Sequence, residues 1–503
     1  MELLVWPEVL LAVGCFFILL FLRCWKFNPL PISWPVVRML PSFVLNMHRP
    51  HEWGAEVLSR NGGHFLFEGP WLSHMTYFVT ADPANVRYML NTNFANFAKG
   101  PEFKEIFDVL GDGIFNSDMD IWRSQRKMGH ALIHHPQFLR FLEQTVKDKV
   151  ENGLVPVIEH LAKKGPVDLQ DVFKRFTFDT TQIFLAGVDP ACLAVHMLKV
   201  PLAEAFDDIL QAIFYRHVTP RFLWKLQRLI GTGTEKKLSN ARKTLDHFIG
   251  QCVAEKREQL RRREKVKEEN EGIDLLTSYL SEEDTKGMKS DKFLRDTVVN
   301  YMVAGRDTVS SALTWFFWLL SKKPTVETKI VEELKAISPK KHPSEERLVF
   351  DTKELNKLVY LHGALCECLR LFPPVPFEIK TPIKQDILPS GHTVNPKSKI
   401  LISLYAMGRI EETWGKDCLE FRPERWISKE GRINYEPPYK FLAFNAGPRI
   451  CLGKEVAFTQ MKLAVATLIY NYHFDAVEGH PVVPKNSIIL HMKHGLLVRI
   501  KRR

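Results

Sequence analysis

Phe444-Asn445-Ala446-Gly447-Pro448-Arg449-Ile450-Cys451-Leu452-Gly453 is the stretch on which the reading of this chain turns. Its centre is a single cysteine, and cysteine chemistry is set by surroundings. Gly447 and Gly453 are read as permitting backbone shapes that a side chain would block. Arg449 stands two residues before the sulfur. From Lys454 the sequence turns helical, with Ala457, Met461, Ala464 and Leu468 on one face. Cys451 is therefore expected just ahead of a helix N-terminus, where N–H groups and the positive end of the dipole favour a thiolate. A thiolate in a glycine-lined loop, with a cation for an acidic group, suits an axial haem ligand. A buried, inert cysteine is the alternative reading of the residue taken alone.

The run Phe-x-x-Gly-x-Arg-x-Cys-x-Gly resembles the haem-binding signature of the cytochrome P450 monooxygenases, and all of its specified positions are met. The resemblance implies haem b (iron protoporphyrin IX) with Cys451 as axial thiolate and Phe444, Gly447, Arg449 and Gly453 in the haem loop. The implied fold is mainly α with a small β region, a triangular prism preceded by an N-terminal transmembrane helix.

Other stretches extend the resemblance in family order. Trp122 and Arg126 lie four apart on one helix face, and both are donors that would bind a carboxylate. The family assigns such a pair to a haem propionate. A long helix is expected from about Asp291 to Ser321, stopped by Lys322-Lys323-Pro324. Its middle carries Ala304-Gly305-Arg306-Asp307-Thr308. A mid-helix glycine costs about 1 kcal/mol relative to alanine, and a threonine hydroxyl competes for backbone carbonyls, so a loosened turn is expected. The family's matching motif delivers protons to dioxygen; Asp307 and Thr308 resemble that relay, with Ala304 facing haem and substrate. A kinked helix without chemistry is the alternative.

Leu355 to Leu371 reads as another helix, stopped by Pro373-Pro374, with Glu367 and Arg370 sharing a face. The resemblance makes them a buried pair bonded to Arg425 of Phe421-Arg422-Pro423-Glu424-Arg425-Trp426. These three are expected to serve folding and haem retention; loss of one member of a buried ionic triad costs about 3–5 kcal/mol. Phe65-Leu66-Phe67 and Tyr77-Phe78-Val79 read as antiparallel strands, and Val375 to Lys380, Val394, Ile400 to Tyr405 and Leu496 to Ile500 as further strands. Lys380 is a candidate for a second propionate, and the region around Ile488 for a turn over the substrate. Phe173, Phe176 and Phe178 read as core.

The chain has 503 residues with no linker after residue 42, so 43–503 is read as one catalytic domain. Residues 1–26 read as a membrane anchor: Val9 to Leu22 is uncharged and apolar, and Arg23 and Lys26 follow it. A cleaved signal peptide is disfavoured because the positive charge lies after the apolar run. Residues 27–42, with Pro29, Pro31, Pro35 and Pro41, read as a stiff extended stalk. This organisation implies a single-pass protein of the endoplasmic reticulum membrane, with the catalytic domain facing the cytosol. The 8 cysteines show no disulfide or zinc spacing, which fits a reducing compartment.

The net charge of +11 is scattered, without the aromatic interleaving that suggests nucleic acid. It suits a membrane surface, an acidic protein partner, or simply a solvated basic surface. No flavin or dinucleotide motif is present, so the resemblance implies electrons from NADPH through a separate NADPH–cytochrome P450 reductase. Lys127, Arg449 and Lys454 on the basic proximal side would dock it. The other partners implied are O2, the lipid bilayer and a small hydrophobic substrate.

Within the family, Lys99-Gly100-Pro101-Glu102-Phe103-Lys104 and Trp315-Phe316-Phe317-Trp318 resemble the plant midchain alkane hydroxylases, relatives of fatty-acid ω-hydroxylases. Pro373 to Lys380 and Arg216-His217-Val218-Thr219-Pro220 look closer to oxidases that couple the phenol rings of norbelladines in amaryllis-type plants. Hydroxylation of a long alkane or fatty acid is the leading expectation, because the intact Asp307-Thr308 pair leans toward oxygen insertion. Intramolecular carbon–carbon coupling of a 4'-O-methylnorbelladine-type phenol is the alternative.

Overall fold

The computed structural model describes residues 14–16, 30–197, 200–266, 274–281, 290–337, 348–396 and 398–503. The described residues are mainly helical with small β regions. The helices that frame the site are α1 (Met119–Ile133), α2 (Leu169–Ala186), α3 (Pro201–Val218), α4 (Asp291–Lys322), α5 (Val359–Leu371) and α6 (Lys454–Asn471). One sheet has the order β1 (His64–Glu68), β2 (Thr76–Thr80), β5 (Lys399–Ser403), β4 (Phe377–Pro382), β3 (Phe97–Ala98). β2 and β5 run parallel, and the other neighbours antiparallel. The C-terminal strand Leu497–Arg502 lies between Val167–Asp168 and Tyr472–Ala476 in a second sheet.

α4 crosses the larger hydrophobic core, with Leu313 and Phe316 fully buried. A helix apolar on most of its faces must be covered all round, and α2 and α6 are among the helices that cover it. The Ser290 hydroxyl accepts from the Phe293 N–H at 3.3 Å and caps its start. Phe173, Phe176 and Phe178 are buried in this core, as expected. A smaller core, with Phe78, Ile400 and Ile402, fills the space against the first sheet.

Four expectations are corrected. The Leu355–Leu371 helix is two: Thr352–Leu355 with an Asp351/Glu354 capping box, then α5. The break arises because Glu333, from another helix, accepts the first free N–H groups of α5, those of Val359, Tyr360 and Leu361, at 2.7–2.9 Å. Tyr405 belongs to a short helix, Leu404–Met407, where the Ser403 hydroxyl caps the chain as it leaves β5. The stalk is not extended where it is described. Trp34 and Arg38 close a tight turn by reciprocal backbone bonds of 3.0 and 2.9 Å, and Arg38 pairs with Glu68 at 2.7 Å. Finally, α4 stays α-helical through Gly305, for a reason given below.

The anchor expected at 1–26 lies outside the described residues except for 14–16. Among the described residues no helix is long and apolar enough to cross a membrane.

Candidate haem-thiolate site

The loop ahead of α6 is held by its own backbone. Cys451 N–H donates to the Phe444 carbonyl at 2.7 Å, and Ile450 N–H to that of Gly447 at 3.1 Å. Gly447 has φ +62°, and a Cβ there would run into the Leu90 carbonyl, so the position requires glycine. Gly453 does not behave as expected. Its φ is −90°, which any residue adopts. A Cβ there would meet open space, and the residue borders a cavity, so glycine leaves volume free rather than permitting a turn.

That cavity, of about 410 Å³, gathers the predicted residues. Trp122 and Arg126 of α1, Ala304 and Thr308 of α4, and Phe444, Arg449, Cys451 and Gly453 all line it. Gly447 does not; it braces the loop from behind. The sulfur is open to the cavity yet packed round by protein. Burial pushes the Cys451 thiol above its ordinary value, although the Gly453 N–H, Arg126 and Lys454 pull it down. Burial and these neighbours thus oppose one another at the sulfur, and an iron bound there would add the positive charge that favours the thiolate.

The cationic groups test whether an anionic cofactor fits. Arg126 has no hydrogen-bonding or ion-pairing partner among the described residues, and burial holds its pKa down. Arg449 donates to Asp118 at 2.9 Å and to the Ser117 carbonyl at 2.7 Å, and its guanidinium lies 4.6 Å from the centre of the Trp122 ring. Its Nε is buried without a partner. Unpaired guanidinium donors beside a cavity are costly unless an anion joins them. The residues fit a porphyrin bearing carboxylates. Lys380 fits less well. It is fully buried, lies 2.8 Å from Glu378, and is absent from the cavity wall.

The relay pair is divided. Thr308 faces the cavity and donates to the Ala304 carbonyl at 2.7 Å. Asp307 is fully buried and turned away. Its Oδ1 accepts from Arg306 at 2.9 Å and from His491 Nε2 at 3.2 Å, while Oδ2 has no partner. Burial would raise the Asp307 carboxyl, but Arg306 and the His491 hydrogen bond hold it below its ordinary value. Arg306 also reaches Asp207 at 3.1 Å, and Lys174 reaches Asp207 at 2.8 Å, so a chain of charges leads outward. Neighbouring residues on a helix point about 100° apart, which is why an adjacent acid and alcohol need not meet. His491, Asp207 and Asp118 carried no motif in the sequence.

Gly305 has a different task from the one expected. A Cβ there would lie 2.6 Å from Thr181 Oγ1. The glycine lets α2 and α4 approach, and Thr177 of α2 donates to the Arg306 carbonyl at 2.6 Å beside it.

Behind the cavity, Glu367 makes two bonds of 2.8 Å to Arg370, accepts from Trp426 Nε1 at 2.8 Å, and lies 3.3 Å from Arg425 Nε. Arg370 also donates to the carbonyls of Gly408, Cys418 and Glu420, and Arg425 to those of Trp414 and Asp417. A buried ionic group tolerated at this depth needs every lone pair and proton satisfied, and this cluster ties α5 to the chain between Gly408 and Trp426.

The cytochrome P450 family description matches residues 29–499. The chain is 45% identical to the alkane hydroxylase MAH1 of Arabidopsis thaliana, over 95% of this chain and 94% of that protein. It is 43% identical to noroxomaritidine synthase of Narcissus aff. pseudonarcissus MK-2014, over 99% and 97%. It is 42% identical to cytochrome P450 86B1 of Arabidopsis thaliana, over 99% and 90%. A cysteine loop, cavity-facing cations and near full-length kinship point the same way: this chain is an enzyme of the cytochrome P450 family, an oxidoreductase whose cofactor is haem with an axial cysteine thiolate, and which takes O2, a substrate and electrons from a redox partner.

Proposed function

We propose that the protein hydroxylates a long aliphatic substrate, an alkane or fatty acid. The observation that carries this reading is the cavity itself. From Cys451 it passes Ala304 and Thr308 to walls of Leu110, Ile213, Val303, Leu369, Val375, Ile488 and Ile489. Such walls hold a chain by area alone, at about 25 cal/mol per Å² of apolar surface. The kinship with an alkane hydroxylase supports it.

In this reading Cys451 is the iron ligand. Trp122, Arg126 and Arg449 hold the propionates, and Phe444, Gly447 and Gly453 shape the loop. Bound there, the haem supplies O–O cleavage assisted by its electron-rich sulfur. Thr308 holds a proton at Oγ1 beside the reacting centre, and Asp307, on rotating from Arg306, passes protons inward to it. Glu367, Arg370 and Arg425 are structural. Lys127 and Lys454, both exposed, offer charge to an acidic NADPH–cytochrome P450 reductase.

The protein is organised as an anchor (1–26), a stalk (27–42) and a catalytic domain (43–503), in the endoplasmic reticulum membrane with that domain in the cytosol. An exposed face supports contact with lipid: Phe222, Leu226, Leu229 and Ile230 of the helix Arg221–Ile230 are open to solvent, interleaved with Arg221, Lys225 and Arg228.

A second reading, intramolecular phenol coupling, is favoured by the aromatic side of the same cavity, with Phe103, Phe107, Phe115 and Phe377, and by the 43% relative. The test is product mass after incubation with reductase and NADPH. An alkane or fatty acid gaining one oxygen supports hydroxylation. A 4'-O-methylnorbelladine losing two hydrogens establishes coupling instead. No product from any of the three rejects both substrate readings.

A further inference from the structure

One polar side chain in the apolar part of the cavity has no task in either reading. His217 lies near the end of α3, is 8% exposed, and lines the cavity. Its ring stands edge-on to Phe107 at 5.5 Å and to Phe377 at 5.7 Å, and both of those rings line the cavity too. Nδ1 is 2.8 Å from the Ile213 carbonyl. A carbonyl only accepts, so Nδ1 carries the proton and the other nitrogen, Nε2, presents a lone pair. Nε2 is buried with no partner among the described residues.

The surroundings do not supply that partner. On its other side the ring borders a small pocket with Glu102, Arg216 and Lys399. Those donors are engaged: Lys399 with Glu102 at 2.6 Å, and Arg216 with Glu235 at 2.6 Å and Asp108 at 2.8 Å. Burial, aided by the nearby positive charge of Lys399 and Arg216, depresses the ring's pKa to about 4, so the imidazole is neutral near pH 7. A buried acceptor left unpaired costs about 1–3 kcal/mol, and that cost is removed when a donor arrives.

Among the cavity's other polar groups, Asn300 and Thr308 spend their donors on backbone carbonyls. Thr181 Oγ1 is also unpaired, but it faces Gly305 at the contact between α2 and α4. His217 is thus the acceptor positioned among the aromatic rings. A hydrocarbon offers it nothing. A carboxylate brings only lone pairs. An alcohol or phenol O–H satisfies it.

We propose that His217 Nε2 accepts a hydrogen bond from a hydroxyl of the substrate, so that the cavity selects an apolar molecule carrying an O–H over the bare hydrocarbon or the carboxylate. This rests on the haem-bearing cavity being the substrate site, and it narrows both readings: under hydroxylation the preferred aliphatic molecule already carries a hydroxyl, ahead of the plain alkane or the ionised fatty acid, and under coupling it is the phenol. The hydroxyl belongs either to an aliphatic alcohol or to a phenol.

The test is equilibrium binding to the full-length holoenzyme, by calorimetry and by the Soret difference spectrum. Dodecane, 1-dodecanol, dodecanoate and 4-hexylphenol are compared in the native protein, His217→Phe and His217→Gln. A reduced carbon monoxide spectrum on each protein reports an intact site, and His217→Leu replaces the phenylalanine variant if that one fails to take up haem. The native protein is expected to bind at least one hydroxyl probe about tenfold more tightly than dodecane, after correction for partition from water. The phenylalanine variant should lose that preference while dodecane binding holds, and the glutamine variant, with an acceptor Oε1, should regain part of it. A preference confined to 4-hexylphenol marks a phenolic substrate, and one shared with 1-dodecanol an aliphatic alcohol. No preference in the native protein, or the same preference without His217, overturns the proposal. Loss of the carbon monoxide signature in the native protein would instead overturn the haem-site reading beneath it.

Discussion

At the scale of single residues, the site depends on groups whose usual partners are withheld. Among the described residues Arg126 is unpaired, and Arg449 keeps a free Nε although its other nitrogens are bonded. Cys451 is a cysteine whose burial opposes ionisation. Each is a cost in the protein alone that a metal-bearing dianion relieves. Thr308 differs, because its hydroxyl is bonded only to its own helix at Ala304. Thr308→Ala leaves no buried partner stranded, so the fold and haem content should be kept. Product formed per NADPH should fall roughly tenfold or more, with hydrogen peroxide rising to match. Peroxide assay beside NADPH consumption measures this, and unchanged coupling would remove Thr308 from proton delivery.

Elements contribute by how closely they approach. Gly305 allows α2 to sit against α4 where Thr181 meets it. Gly305→Ala improves helix propensity by about 1 kcal/mol, yet it places a Cβ 2.6 Å from Thr181 Oγ1 and 2.9 Å from its Cγ2. Overpacking of this kind costs about 1–3 kcal/mol, so a lower thermal midpoint is expected. Adding Thr181→Ala removes both clashing atoms, leaving the Cβ at 3.3 Å, and should restore stability beyond simple additivity. A single alanine variant as stable as the native chain would mean that Thr181 yields at little cost. The helix stays regular at Gly305 because the residue serves packing, and a sequence window sees propensity but not the neighbour.

For the whole molecule, buried neutral histidines set the response to acid. Burial depresses His51, His217 and His491 to about 4 and His362 to about 3, from an ordinary value of 6.5. Between those values the unfolded chain binds protons that the folded chain refuses, so stability rises with pH there. Their contribution is complete above about pH 6.5 and is lost as the pH falls toward 4. The unfolding midpoint should therefore drop steadily from pH 7 to pH 4.5, and each single replacement of His51 or His362 by an apolar residue should flatten that slope. A midpoint level across this range would contradict the assignment of these rings as neutral.

The chain itself dictated the local facts: a cysteine three residues before a helix, a donor pair four apart at Trp122 and Arg126, and a Glu367–Arg370 pair on one helical turn. Periodicity and short-range spacing are sufficient for these, since neighbours on a helix are fixed by 3.6 residues per turn. Folding decided what lies far apart in sequence. It turned Asp307 toward His491, 184 positions away, rather than toward Thr308's cavity. It brought Asp118 to Arg449, made Gly305 a contact rather than a hinge, and left His217 without a partner among aromatic rings. Those outcomes follow from burial, because a polar atom's partner is whatever the packed core places within reach, and that is a property of the folded chain alone.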